Sequence, residues 1–67
     1  MWSLNKVSYG RKNEGLWEVY VKDVVGHSFE VEAYSEYWAV ERIKEKMLLK
    51  GLDSKKFDFS RNDGGVY

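Results

Sequence analysis

A chain of 67 residues has room for one domain, with no cysteine to cross-link it and one histidine, so disulfides are excluded and a structural zinc site lacks its ligands. Small secreted scaffolds are usually cross-linked, so this composition predicts an intracellular, cytoplasmic setting. Eleven basic residues balance eleven acidic ones, which removes the basic excess of a chain built to grip a nucleic-acid backbone; no apolar run reaches the roughly 18 residues of a membrane span, and the first residues lack the pattern of a signal peptide.

In chain order, residues 4–9 form the first and weakest predicted strand. It is followed by a loop, Gly10-Arg11-Lys12-Asn13-Glu14-Gly15, with glycine at both ends. Residues 16–22 alternate: Trp17, Val19 and Val21 take one parity, Glu18, Tyr20 and Lys22 the other. Period two with β-branched and aromatic residues is the mark of a half-buried strand. Residues 28–34 repeat it, with Phe29, Val31 and Ala33 against Ser28, Glu30 and Glu32.

The intervening Asp23-Val24-Val25-Gly26-His27 reads as a three-residue hairpin loop with a glycine bulge. Pairing Asp23 with His27 sets Val21 opposite Phe29, Val19 opposite Val31 and Trp17 opposite Ala33. The other face then has Glu18 opposite Glu32 and Tyr20 opposite Glu30. The same parity sets Tyr9 against Trp17 and Val7 against Val19.

Ser35 is placed to cap a helix over 36–50, although Trp38 stands where a full capping box needs Glu or Gln. Lys46 and Lys50 suit the negative end of its dipole, and Gly51 the left-handed position just beyond. Ala39, Val40, Ile43 and Met47 share its inner face, with Tyr37 and Leu48 at the margin. A last alternating run, 56–60, predicts a fourth strand that adds Phe57 and Phe59 to the core; residues 61–67 read as a flexible, turn-like tail. The fold class is α+β: a three-stranded antiparallel meander, one helix packed on one sheet face, and a fourth strand (β-β-β-α-β), returning parallel to either the first or the third strand.

No set of residues carries a recognisable chemistry. His27 is the single imidazole and ends a hairpin turn; Asp53, Asp58 and Asp63 have neither a histidine partner nor calcium-loop spacing. The reading is non-enzymatic, with no catalytic residue, no metal and no cofactor.

Two surfaces remain. On the open sheet face, Glu18, Tyr20, Glu30 and Glu32 gather like charges across the ladder, which stability alone disfavours and a basic partner would reward. On the helix, Trp38, Arg42 and Leu49 lie away from the inner face; Trp and Arg are enriched at interface hot spots. The plainer alternatives are a solvated sheet face and a Trp38 covered by Trp2, Val66 or Tyr67. Arg11 and Lys12, near Tyr9 and Trp17, offer a nucleic-acid alternative through charge and stacking.

The stretch Phe29-Glu30-Val31-Glu32-Ala33-Tyr34-Ser35, followed by Ala39 and Ile43, resembles a layout common in small phage- and prophage-encoded proteins, anti-CRISPRs and other inhibitors of host enzymes among them. The resemblance covers about fifteen residues and carries over no functional residue. It implies a protein-binding module, in its most specific form a phage-type inhibitor or regulator of a host protein. The expected partner is another protein with a basic or mixed surface, without a membrane; a homodimer, a nucleic-acid accessory domain and a structural subunit of a larger assembly are the alternatives.

Overall fold

A computed structural model describes residues 5–62. Strands β1 (Lys6–Asn13), β2 (Leu16–Lys22) and β3 (His27–Glu32) precede helix α1 (Glu36–Leu49), a 3₁₀ turn (Ser54–Lys56) and strand β4 (Asp58–Arg61). The fold is α+β in the predicted order, and its sheet runs β3-β2-β1-β4. β4 joins β1 in parallel, with Val7 beside Phe59, so the fourth strand returns to the first strand and leaves β3 as an edge.

Alternation places the core. Val7, Tyr9, Trp17, Val19, Val21 and Val31 are buried against Ala39, Ile43 and Met47 of the helix. Phe29, Val40, Phe57 and Phe59 pack around them, half-buried. Tyr37 and Leu48, expected at the margin of the inner face, are exposed. At about 100° per residue each lies some 120–140° from Ile43, which turns both outward once the 39/43/47 stripe is seated.

The register differs from the sequence reading by two residues in both hairpins. Val21 pairs with His27, Val19 with Phe29, Trp17 with Val31, Glu18 with Glu30 and Tyr20 with Ser28. β1 meets β2 with Val7 opposite Val21 and Tyr9 opposite Val19. A slip of one residue would turn every side chain over, but a slip of two keeps each on its face, so parity selects the face and not the partner. The turns make the choice. β1 runs through Gly10 to Asn13 with an irregularity between Arg11 and Asn13, and only Glu14 and Gly15 remain to turn the chain.

The second turn is wider than the predicted three-residue loop. Asp23 Oδ1 accepts from Gly26 N–H at 2.6 Å and from Val25 N–H at 3.1 Å, closing the bend with a side chain where a tighter turn would use backbone. The Gly26 amide is the main cause holding the Asp23 carboxyl below its ordinary value; Val25 N–H and nearby His27 add to this, against partial desolvation. A carboxyl with a depressed folded pKa stabilises the fold above its unfolded pKa of about 3.9 and loses that contribution as pH falls through the folded value. Acid titration of thermal stability should therefore show a drop below about pH 4 that is shallower in Asp23→Asn.

Gly26 sits at φ +86°, and a Cβ there would lie 3.1 Å from Tyr20 Oη; Gly51 sits at φ +78° with open space around it. Gly26→Ala is expected to cost about 2 kcal/mol and Gly51→Ala about 1 kcal/mol, since only the first adds crowding to backbone strain. Paired urea titrations measure the difference; equal costs would mean Tyr20 swings aside freely.

The helix ends follow the sequence signals. Ser35 Oγ accepts from Trp38 N–H at a long 3.5 Å. Leu52 N–H donates to Met47 O at 2.8 Å and Gly51 N–H to Leu48 O at 3.0 Å, the paired bonds of a glycine-terminated helix. Lys50 is the cap, so the helix is one residue shorter than expected. The fourth strand starts at Asp58 instead of 56 because Asp53 Oδ1 caps the preceding 3₁₀ turn at Lys55 N–H.

Residues 61 and 62, expected in the flexible tail, are ordered. Asn62 N–H donates to Tyr9 O at 2.7 Å. Arg61 Nη1 meets Glu36 Oε1 at 2.8 Å and its guanidinium lies 5.0 Å from the Trp17 ring. Tyr9 Oη donates to Glu36 Oε2 at 2.8 Å, so one glutamate in the first helical turn ties α1 to β1 and β4. Leu4, Trp2, Val66 and Tyr67 lie outside the described residues, and with them the suggested cover of Trp38.

Candidate partner-binding surface

The open sheet face and the outer flank of the helix meet at one edge, along β3. Alternation turns Glu18, Tyr20, Glu30 and Glu32 away from the helix, and the register sets Glu18 directly opposite Glu30, with Leu16 opposite Glu32. The sequence pairing of Glu18 with Glu32 and Tyr20 with Glu30 is thereby corrected, yet two carboxylates still face each other across the ladder. Lys12 Nζ reaches Glu30 Oε2 at 2.8 Å, with both side chains about half exposed; such surface pairs contribute little, about 0–1 kcal/mol.

The backbone of β3 is half used. Ala33 N–H donates to Gly15 O at 2.9 Å, so residues of that parity, 27, 29 and 31, turn their amide groups toward β2. In an antiparallel ladder the alternate residues must point the other way. Ser28, Glu30 and Glu32 therefore present N–H and C=O groups to the outer edge, where no strand pairs with them among the described residues. The other strands obey the same alternation: Asn5 O and Tyr9 O of the first strand accept from Asp58 N–H and Asn62 N–H on the β4 side, leaving its even residues to bond β2.

Beside this edge the helix carries Trp38, Arg42, Lys46 and Leu49 on one flank. Leu16, Glu32, Ala33, Tyr34, Trp38 and Arg42 line a groove of about 790 Å³. A second groove of about 560 Å³ continues it past Glu30, Val31, Lys46 and Leu49, sharing Glu32 and Arg42 with the first. Trp38 is 53% exposed and Leu49 83%. Trp38 stacks edge-on against Tyr37, ring centroids 5.3 Å apart, and Arg42 Nη1 lies 3.8 Å from Glu45 Oε1.

The structure thus brings the two sequence-derived surfaces together around one strand edge. Sequence reasoning missed Tyr34, which is 95% exposed, and the outward amides of β3, which no strand pairs among the described residues. Neither has a residue-type signature, because both follow from strand order.

Arg11 and Lys12 lie at the end of β1, not in a loop, since Gly10 is taken into the strand. Lys12 spends its charge on Glu30. His27 Nε2 stands 3.5 Å from Asp23 Oδ2 in the hairpin bend. Among the described residues no group of three or more His, Asp or Glu side chains is placed to hold a metal ion, and no helix is long and apolar enough to cross a membrane.

Fold and surface together define a small α+β domain with one helix-covered sheet face and, among the described residues, an acidic edge strand, β3, with no strand paired on its outer side. No protein-family model, curated protein or solved structure matches the chain.

Proposed function

We propose that the domain is a non-enzymatic protein-binding module that works in the cytoplasm and, in its most specific form, acts as a phage-type inhibitor or regulator by occupying a basic surface on its partner. The observation that carries this reading is the opposition of Glu18 and Glu30 on an open sheet face, with Glu32 beside them and Lys12 paired to Glu30. Like charges set directly across a ladder cost stability, so a face built this way gains when a cationic partner covers it. The exposed Trp38 and Leu49 at the same edge supply apolar area of the kind that anchors an interface.

The test compares the wild-type chain with the triple variant Glu18→Lys, Glu30→Lys, Glu32→Lys as baits in a native lysate, with and without nuclease. A stoichiometric protein that survives nuclease and is lost on the triple variant is the expected result, with the variant's thermal melt close to wild type. Undiminished capture by the variant would remove the acidic face from the mechanism. Recovery that vanishes with nuclease would favour nucleic-acid binding through Arg11 and Lys12.

A further inference from the structure

We infer that β3 accepts a partner's extended segment as a fifth strand, and that this segment alternates basic and apolar side chains. The inference rests on the protein-binding reading above and names the partner's chemistry.

Three observations converge on it. The amide groups of Ser28, Glu30 and Glu32 point outward along the edge, at the spacing an added strand needs for its own ladder. The side chains of the same residues stand on the open face, so a strand placed here sets its open-face residues beside Glu30 and Glu32, with Glu18 one strand behind. Cationic residues satisfy those positions, and Lys12, held to Glu30 by an exposed pair, is readily displaced. The intervening residues point the other way, into the grooves against Val31, Trp38 and Leu49. Arg42 and Lys46 line that side with Glu45, which lies 3.8 Å from Arg42, and the apolar surface of Val31, Trp38 and Leu49 there is matched by apolar residues, which complete the alternation.

A second copy of the chain is the poorer occupant. Two β3 edges paired antiparallel about Glu30 would set Glu30 against itself and Glu32 against Ser28, concentrating carboxylates along the seam. The same glutamates guard the edge against indiscriminate pairing, and a basic strand is the one kind they admit.

The experiment uses the isotope-labelled full chain and three peptides spanning the six residues of β3: one alternating lysine and valine, one of equal composition with the lysines in a block, and one alternating but N-methylated at every second amide. The alternating peptide should bind at least about tenfold more tightly than either of the others and slow hydrogen exchange at the Ser28, Glu30 and Glu32 amides. Equal binding of all three, with those amides unprotected, would overturn strand addition while leaving the acidic face as a flat docking surface. Binding of none would mean that the edge is only shielded, and would also overturn it. Protection of the same amides in the free chain, rising with protein concentration, would make a second copy the occupant and overturn the basic-strand assignment. Loss of lysate capture on charge reversal belongs to the broader reading alone, so the two can fail separately.

Discussion

Trp17→Ala is expected to leave the domain largely unfolded in water at 25 °C. The Trp17 side chain is among the largest fully buried ones, and it is held from several directions. The Tyr9 ring lies 6.2 Å away at a 45° tilt, the Arg61 guanidinium sits over its face, and Nε1–H donates to Ala33 O at 3.3 Å. Truncating a buried Trp to Ala typically costs about 3–5 kcal/mol, through lost transfer energy and the cavity left behind. A domain this small has a total stability near the lower end of the usual range, about 5 kcal/mol. The loss is therefore comparable to the whole. Urea titration followed by far-UV circular dichroism should place the midpoint of the variant close to zero denaturant. Trp17→Phe keeps most of the apolar volume and gives up the Nε1 hydrogen bond, so a loss of about 1–2 kcal/mol is expected. If Trp17→Ala retained more than half of the wild-type stability, Tyr9 and Arg61 would have to close over the gap.

Trp38→Ala should behave in the opposite way. This ring is half exposed, stacks on an equally peripheral Tyr37, and lies outside the core cluster. Its removal should shift stability by less than about 1 kcal/mol, the usual range for substitutions away from core features. Binding should suffer far more. A buried aromatic anchor at an interface is worth about 2 kcal/mol or more, which corresponds to roughly a 30-fold rise in Kd. Calorimetric titration against the captured partner, run beside urea titrations of both proteins, separates the two effects. A stability loss near that of Trp17→Ala would place Trp38 in the core; unchanged affinity would remove it from the interface.

The contrast between these two tryptophans shows how far the residue pattern reaches. Trp17 belongs to an alternating run and must face inward with Val19 and Val21. Trp38 sits one residue before Ala39, on the helix flank that period 3.6 turns away from the 39/43/47 stripe. Both placements are local consequences of side-chain periodicity. The glycine that ends the helix and the polar bend at Asp23 are equally local, because they answer backbone needs within a few residues.

What the sequence by itself determined, then, was the element order, the inward face of each strand and of the helix, and the chemistry of the exposed positions. Only the tertiary structure decided which residue lies opposite which. Parity is blind to a slip of two, and the choice fell to the length of β1 and the shape of two turns. Strand order was also a tertiary decision. The pairing of β4 with β1 depends on contacts between segments about fifty residues apart, Lys6 with Asp58 and Val7 with Phe59, and no local preference encodes it. That one choice leaves β3 as an edge and sets Glu30 and Glu32 along it, beside the two adjoining grooves that Trp38 and Leu49 line.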